Sequence, residues 1–310
     1  MTNIDISIVV PLYRCETAIK ELTTRICNTL EAQSLSFEII YVNDASPAND
    51  WQEVCAVAKN NKQVKGLNLS RNFGQHYAIT AGLSYASGRW VVVMDGDLQD
   101  QPEDIALLYN KAQEGFDIVL GRRVERQHSF LKRTGSIWFY RALAYLTDTD
   151  QNAEIANFGI YHKNVIRAIL SMKDKVRYFP TMVRWVGFRR IEIAVNHAAR
   201  NEGKSSYNFK ALLNLALNTI LSFSDKPLRL TVKAGILISL ISFIVAAVTF
   251  FRAIMGLIVV SGYSSMMISI WLLAGVIITL IGMLGLYIGK IFDQVKDRPV
   301  FIVQQTINFE

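Results

Sequence analysis

The sequence predicts an α/β domain with a mostly parallel sheet, followed by a C-terminal hairpin of two transmembrane helices. Three observations predict this fold class. Short apolar runs alternate with helical patterns through the first 120 residues, and two long apolar runs follow near the C-terminus. Hydrophobic residues make up 51% of the 310-residue chain, against 19% charged residues. This composition excludes a disordered chain, which combines low hydrophobicity with high net charge.

Strand and helix signals alternate along the N-terminal region. The first apolar run is predicted to end at Pro11, and Pro102 is predicted to lie in the first turn of a helix. Strands separated by helices of this length are typical of βαβ units, which form a mostly parallel sheet covered on both faces. The predicted strands are Ile6–Val10, Phe37–Val42, Val64–Leu69, Trp90–Met94 and Asp117–Leu120, and the predicted helices are Thr17–Ala32, Trp51–Lys59, Gln75–Ala86 and Pro102–Glu114.

Two apolar segments predict transmembrane helices. Val232–Phe251 contains one charged residue, Lys233, and Met266–Ile288 contains none. Each reaches the ~20 residues that a helix needs to cross a bilayer, and buried helices of a soluble core rarely combine this length with so little charge. Cationic residues flank the outer ends of the pair, so both termini and the α/β domain are expected in the cytoplasm.

The domain organisation follows from these segments. We predict a cytosolic domain at 1–208, an interfacial helix and linker at 209–229, two transmembrane helices at 230–290 and a cytoplasmic tail at 291–310. Residues 129–146 combine aromatic, aliphatic and basic residues and predict a further interfacial helix. Ordinary core helices of the domain are the alternative for both interfacial segments.

The net charge of +7 is unevenly distributed. Residues 119–210 hold 17 Lys or Arg against 7 Asp or Glu, whereas residues 1–118 hold 9 against 15. A basic region next to membrane segments predicts an anionic partner at the membrane, with a solvated basic surface as the alternative. Nucleic acid is not expected, because no stacking-aromatic motif or recognition helix accompanies the charge. The three cysteines form no disulfide or zinc pattern.

Polar side chains follow the predicted strands, where ligands of such sheets bind. The chain has neither GxGxxG nor a P-loop, so phosphate groups must be neutralised in another way. Asp95 and Asp97 leave a strand at i and i+2 and therefore point to one side. Two such carboxylates make a hard oxygen site for Mg²⁺ or Mn²⁺, which completes its shell with water and phosphate oxygens. Together with Asp44 at the end of another strand, they predict a nucleotide-diphosphate site.

The ordered set of motifs resembles family 2 glycosyltransferases of GT-A fold, a Rossmann-like α/β architecture. The two C-terminal spans make the chain similar to the polyprenyl-phosphate glycosyltransferases, the group that contains bactoprenol glucosyltransferases and dolichyl-phosphate mannose synthase. The resemblance covers nearly the whole chain. It rests on PLYRCE (11–16), VNDAS (42–46), LSRNFGQ (69–75), MDGDLQDQP (94–102), LGRR (120–123), VRWVGFRR (183–190) and ARNEGKSSY (199–207).

The resemblance implies an enzyme that transfers a hexose, with inversion, from a UDP-sugar to undecaprenyl phosphate. It implies Mg²⁺ or Mn²⁺ as cofactor, a bacterial inner-membrane location, a homo-oligomer such as a tetramer, and a role in modifying a cell-envelope glycan such as O-antigen. Asp95, Asp97 and Arg122 would act in catalysis, and Asp44 would accept a hydrogen bond from uracil. The implied site residues are Pro11, Tyr13, Glu16, Asp44, Asn72 and Asp95 for the nucleotide, Asp95, Asp97 and Gln99 for the metal, Arg122, Arg133 and Ser136 for the acceptor phosphate, and Arg200 and Lys204 in a loop that closes over the donor.

Two positions depart from the family pattern. Cys15 precedes Glu16 where relatives have Asn, and Asn157 stands where bactoprenol glucosyltransferases carry an acid. A phosphomonoester with a second pKa near ~6 is largely dianionic at neutral pH, so this nucleophile needs no base. Two other functions stay open: a polysaccharide synthase, for which Arg184-Trp185 is a partial acceptor motif, and a non-catalytic membrane scaffold.

Overall fold

The structure, a computed structural model, describes residues 4–123, 155–196, 226–255 and 262–309. The chain divides into two compact units. The first comprises Met1–Ala142, Thr149–Asn208 and Arg298–Glu310 and contains the α/β fold. The second comprises Leu143–Asp148 and Phe209–Asp297 and contains the two long C-terminal helices.

An eight-stranded sheet with the order β7-β5-β6-β4-β1-β2-β3-β8 forms the centre of the first unit. The pairs β1–β2, β1–β4, β2–β3 and β5–β7 are parallel, whereas β6 and β8 run antiparallel to their neighbours. The predicted mostly parallel sheet is therefore confirmed. The strands are β1 Ile6–Leu12, β2 Phe37–Asn43, β3 Val64–Leu69, β4 Trp90–Val93, β5 Ile118–Arg123, β6 Ile155–His162, β7 Arg190–Val195 and β8 Val303–Ile307.

Within the described residues, six helices of this unit pack around the sheet, and the first of them shows how apolar spacing forms a helix. In α1 (Ile19–Glu31) four aliphatic residues recur every three or four positions and are buried in the core with β1 and β2: Ile19, Leu22, Ile26 and Leu30. The helices are α1 Ile19–Glu31, α2 Asp50–Asn60, α3 Gln75–Tyr85, α4 Asp104–Gln113, α5 Lys163–Ser171 and α6 Phe179–Trp185.

Three predicted boundaries near the sheet edge are wrong. β1 continues through Pro11, which pairs with Val42 of β2. The register between β1 and β4 ends at Val9, so the missing N–H of Pro11 removes no bond to β4. Pro102 lies in the turn before α4 rather than in its first turn, because the N–H of Ile105 donates to the Pro102 carbonyl at 3.0 Å. β5 extends to Arg123, so Arg122 lies within the strand instead of following it.

The C-terminal segment contains a strand that the sequence analysis missed. Residues of the predicted tail form β8, which pairs antiparallel with β3 and closes that edge of the sheet. The side-chain amide of Asn308 donates to the carbonyl oxygens of Ala58 and Val64, both at 2.8 Å. The end of the chain is thus part of the α/β unit.

The second unit contains α7 (Lys226–Ile254) and α8 (Tyr263–Val295). Within the described residues, Leu273–Val295 is the one segment long and apolar enough to cross a membrane, and none of its apolar stretch is buried. Both helices also expose large apolar side chains, such as Phe243 and Ile288. Soluble monomers rarely expose apolar surface of this extent. A C-terminal apolar helix is therefore confirmed, and the second membrane span stays a prediction.

Glu38 belongs to a buried polar cluster at the amino ends of β1 and β2. Its carboxylate accepts hydrogen bonds from Ser7 and Ser87 and lies 2.8 Å from the Lys65 ammonium. Burial raises the pKa of Glu38, but the bonds from Lys65, Ser7 and Ser87 together outweigh burial and hold the pKa below its ordinary value of 4.5. The ionised carboxylate therefore stabilises the folded state at neutral pH.

This shift predicts a loss of stability in acid. Because the folded-state pKa lies below the unfolded value, the contribution of Glu38 is present above pH 4.5 and is lost as the pH falls through the lowered value. We expect this acid-dependent loss of stability to be absent from a Glu38→Gln variant when thermal unfolding is followed from pH 7 to pH 3. The exposed-site control Glu31→Gln should still show it. Equal acid sensitivity of wild type and Glu38→Gln would contradict the assignment.

Candidate active site

The carboxyl ends of five parallel strands lie at one edge of the sheet. β1 to β4 are mutually parallel, and β5 points the same way because β4 and β5 both run antiparallel to β6. The loops after β1 to β4 each contain a residue with positive φ, namely Arg14 (59°), Ala45 (47°), Gly74 (105°) and Leu98 (61°). A non-glycine residue in this conformation costs about 1–2 kcal/mol, and such strain clusters at binding sites.

Asp50 fixes the loop after β1. This fully buried residue begins α2, and its carboxylate accepts the backbone N–H of Cys15 at 2.6 Å and that of Arg14 at 3.2 Å. The N–H of Arg14 also donates to the Ser46 hydroxyl at 3.0 Å, which links the first loop to the second. The backbone conformation of the first loop is thus set by side chains from the loop after β2 and from α2.

The thiol of Cys15 lies among acidic residues of the site. Burial raises its pKa to about 11, against a lowering by the backbone hydrogen bond at Tyr13, and the negative charges of Asp50, Asp97 and Asp95 add to the rise. The thiol is therefore protonated at neutral pH and cannot act as a nucleophile.

Asp44 holds the loop after β3. Its two carboxylate oxygens accept the backbone N–H groups of Phe73 at 2.7 Å and Gly74 at 2.8 Å, at the N-terminus of α3. Burial raises the pKa of Asp44, while these two bonds and the charge of Arg71 offset part of the rise. Asp44, which is 4% exposed, thus joins the second loop to the third.

The two carboxylates of the DGD motif are held by neighbouring residues. The side-chain amide of Gln75 donates to Asp95 at 2.7 Å, and the backbone N–H of Asp95 lies 3.3 Å from the buried carboxylate of Asp100. Asp97 accepts the backbone N–H of Gln99 at 3.2 Å. These contacts orient both acids at the carboxyl end of β4.

Gly96 allows the DGD turn to lie against β1. A Cβ at this position would lie 2.6 Å from Leu12 Cδ2 and 3.3 Å from the Pro11 carbonyl oxygen. Within the described residues, no three His, Cys, Asp or Glu side chains are grouped closely enough to hold a metal. A pair of half-buried carboxylates, however, fits Mg²⁺ or Mn²⁺, which retains water and takes further oxygens from a bound diphosphate.

Arg122 lies on β5, between Ile155 of β6 and Ala194 of β7, and its side chain is exposed. The preceding Gly121 permits this packing, because a Cβ there would lie 2.9 Å from Val195 Cγ2. Arg122 therefore lies near the carboxyl end of β5, at the same edge as the DGD motif, and β6 lies between β5 and β4 in the sheet order.

The other predicted nucleotide residues lie at the end of β1 and in the first and third loops. Pro11 is buried, Glu16 is half-buried, and Tyr13 and Asn72 are exposed. The Arg14 guanidinium lies 5.6 Å from the Tyr13 ring centroid, and the Arg71 guanidinium lies 4.0 Å from that of Phe73. These two cation–π pairs form the outer part of the site.

Several predicted contacts lie outside the described residues. These are Arg133 and Ser136 of the acceptor set, Arg200 and Lys204 of the donor loop, and both interfacial segments. The structure thus brings together the loop residues of the nucleotide and metal sets, with Arg122 as the described member of the acceptor set.

Sequence reasoning missed three residues that shape the site: Asp50, Gln75 and Asp100. Gln75 lies within the motif LSRNFGQ and Asp100 within MDGDLQDQP. These motifs identified the two residues but predicted no role for them. Asp50 follows a Pro-containing loop at the start of a helix, where an acid is usually explained by the helix dipole. His76, for which no role was predicted, packs edge-on against Tyr178, and burial lowers its pKa to about 4.

The sequence is similar to known proteins along nearly its whole length and to a known family over its N-terminal half. Residues 7–170 match the family described as Glycosyl transferase family 2. A bactoprenol glucosyl transferase of Shigella flexneri is 34% identical over 302 residues, which cover 97% of this chain and 98% of that protein. The undecaprenyl-phosphate 4-deoxy-4-formamido-L-arabinose transferase of Proteus mirabilis is 31% identical over 305 residues, covering 97% and 94%.

The fold is similar to that of solved GT-A structures. Glucosyl-3-phosphoglycerate synthase from Mycobacterium tuberculosis, crystallised with Mn²⁺, UDP and phosphoglyceric acid, superimposes with a TM-score of 0.51 at 15% identity. The match covers 70% of this chain and 76% of that one. At this identity the likeness establishes the architecture and leaves the substrates open.

Proposed function

Because the chain belongs to glycosyltransferase family 2, we propose that this glycosyltransferase moves a hexose from a UDP-sugar to undecaprenyl phosphate at the cytoplasmic membrane face. The observation that carries the proposal is the Gln75-supported Asp95–Asp97 pair at the carboxyl edge, in a chain that also holds an exposed apolar helix long enough to cross a membrane. Two relatives whose names specify bactoprenol or undecaprenyl phosphate match nearly the full chain.

The donor would bind across the loops after β1 to β4. The nucleoside would be surrounded by Pro11, Tyr13, Glu16 and Asn72. Asp44 already accepts two backbone N–H groups and would also accept a hydrogen bond from uracil. Each carboxylate oxygen can accept more than one hydrogen bond, so Asp44 can serve both partners. Asp95, Asp97 and Gln99 would hold Mg²⁺ or Mn²⁺, which when bound neutralises charge on the diphosphate.

The acceptor phosphate would supply the nucleophile. One of its oxygens forms a bond to the anomeric carbon as the bond from that carbon to the diphosphate oxygen breaks, the configuration inverts, and UDP departs with the electron pair. Because the phosphate is largely dianionic at neutral pH, this reaction proceeds without an acid–base residue at Asn157. Arg122, together with Arg133 and Ser136, would hold the phosphate, since a guanidinium fork matches phosphate oxygens bidentately. Arg200 and Lys204 would close over the donor.

We also propose that the chain crosses the bacterial inner membrane twice. The α/β unit contains β7, which precedes α7 in the chain, and β8, which follows α8. A segment that leaves and rejoins one folded unit must cross a bilayer an even number of times. A hairpin of α7 and α8 meets this condition, whereas a single span does not. The homo-oligomer implied by the family would use Gly282, Gly285 and Gly289, whose Cβ positions have no neighbour within 4 Å.

Cysteine labelling tests this topology. In a background without native cysteines, a membrane-impermeant maleimide applied to intact cells should label Ser264→Cys, in the first turn of α8. It should not label Gln304→Cys in β8 until the cells are opened. Labelling of Gln304→Cys from outside would contradict the two-span arrangement.

The function is tested by following labelled sugar from a panel of UDP-hexoses. Purified enzyme, undecaprenyl phosphate and Mg²⁺ or Mn²⁺ should transfer label into the organic-solvent phase, and EDTA should stop the transfer. Arg122→Lys should lower the rate by about tenfold at subsaturating lipid, because a point charge cannot replace the fork. Label in a polymer would instead support a polysaccharide synthase, and no transfer from any UDP-sugar would support a scaffold.

A further inference from the structure

The C-terminal strand is connected to the proposed donor site by a chain of side-chain amides. Gln305 of β8 pairs with Asn68 of β3, and its side-chain oxygen accepts from the Asn68 amide at 3.2 Å. The oxygen of Asn68 in turn accepts from the Asn43 amide at 2.8 Å. Asn43 accepts the backbone N–H of Ser46 at 3.2 Å, and the Ser46 hydroxyl accepts that of Arg14. This path links β8 to the first two loops.

The strand pairing is irregular at the point where this path begins. The register between β3 and β8 shifts between Asn68 and Leu69, since Asn68 pairs with Gln305 and Leu69 pairs with Val303. Beyond the shift, the backbone N–H of Ser70 donates to the Ile302 carbonyl at 3.0 Å, so β8 also fixes the start of the third loop. Bulges of this kind commonly re-aim side chains next to active sites.

A second path begins at the residue where the chain rejoins the α/β unit. The ammonium of Lys175 donates to the backbone carbonyl of Arg298 at 2.9 Å, and the Lys175 carbonyl accepts the Tyr77 hydroxyl at 3.1 Å. Tyr77 lies in the first turn of α3, two residues after Gln75, which bonds Asp95. This path therefore links the C-terminal segment to the DGD motif.

We propose that residues 298–308 act as a positioning element of the donor site. The path through Asn68 reaches the first two loops. The bond from the Ser70 N–H to the Ile302 carbonyl holds the third loop, and the path through Tyr77 and Gln75 reaches the fourth. No residue of the segment needs to touch the donor. The hydrogen-bonded amides instead fix the backbone of the loops that would contact it. The inference rests on the proposed UDP-sugar donor, and it assigns to the end of the chain a role in affinity for that donor.

The test combines UDP binding with amide hydrogen exchange on the full chain in detergent. Gln305→Ala should raise the Kd for UDP and the KM for the UDP-sugar about fivefold, with kcat and the KM for undecaprenyl phosphate unchanged. Exchange of the amides at 43–46 should become faster. Gln305→Glu keeps the oxygen that accepts from Asn68 and should restore wild-type values. The neighbouring Gln304→Ala is the matched control and should leave the Kd unchanged.

Lys175→Met tests the second path, with the exposed Lys62→Met as the control for loss of charge. Lys175→Met should raise the KM for the UDP-sugar, while Lys62→Met should not. The proposal is overturned if Gln305→Ala and Lys175→Met lower only the unfolding temperature and leave the KM and the exchange at 43–46 unchanged. If the wild type itself binds no UDP, the proposed donor is wrong, and the exchange measurement still decides whether β8 positions the loops.

Discussion

Replacement of Asp97 by asparagine is expected to reduce sugar transfer by about 10²–10³-fold, the range found when one electrostatic contact to a developing charge is removed. Asparagine keeps the oxygen that accepts the Gln99 N–H, so the turn should persist. The substitution removes the negative charge and replaces one carboxylate oxygen by an NH2 group, and within the described residues no group of three acidic, His or Cys side chains could hold the metal instead. Initial rates with UDP-sugar and undecaprenyl phosphate, measured across Mg²⁺ and Mn²⁺ concentrations, provide the measurement.

A matched control separates the loss of the Asp97 ligand from a loss of negative charge elsewhere on the protein. Glu114→Gln removes one negative charge from an exposed pair with Lys111 and should leave the rate and the metal dependence unchanged. The unfolding temperature of Asp97→Asn should equal that of wild type. Full activity of Asp97→Asn, or full activity of the wild type in EDTA, would show that the reaction does not use this site.

Replacement of Asp44 by alanine is expected to lower the free energy of unfolding by about 3 kcal/mol, because two hydrogen bonds to a charged group are lost inside the protein. The Phe73 and Gly74 N–H groups would lose their acceptor, and the N-terminus of α3 would be released from the second loop. Since Gln75 begins that helix, the support of Asp95 should weaken as well. Chemical denaturation in detergent measures the stability, and UDP titration measures the affinity.

Asp117→Ala is the matched control for this change. Asp117 also accepts one backbone N–H, that of Arg189 at 3.3 Å, but this bond is exposed to solvent. Water can replace the lost acceptor there, so the expected loss is below about 1 kcal/mol. If the two alanine variants are equally stable, the Asp44 carboxylate does not hold the third loop, and its role would be limited to the donor.

Local sequence pattern was sufficient for most of the α/β elements. β3 has the predicted bounds, and α1, α2 and α3 differ from prediction by two residues or fewer at each end. These elements alternate between buried apolar runs and amphipathic helices, and that signal depends only on near neighbours in the chain. The sequence pattern predicts that β1 ends before Pro11, whereas the strand continues to Leu12. Whether a strand tolerates a proline depends on which strand lies beside the proline nitrogen, and the local pattern does not show this.

The acids of the site could be predicted, whereas the groups that hold them could not. Asp95 and Asp97 were identified from their spacing and their place after an apolar strand. Gln75 lies 20 residues before Asp95 in the chain, and Asp50 lies 35 residues after Cys15. Such contacts follow from strand order, because residues after neighbouring strands meet at one edge whatever their separation in sequence.

The sequence by itself determined the α/β class, the family and the apolar C-terminal helix, and it predicted the DGD pair as a metal site. All four follow from residue types at short or ordered spacing. Only the tertiary structure decided that Arg122 lies within β5 and that the end of the chain forms β8. A five-residue polar strand such as Val303–Ile307, VQQTI, cannot bury enough apolar surface to be recognised alone. It forms because β3 offers an unpaired edge, and that edge exists only once the sheet has assembled.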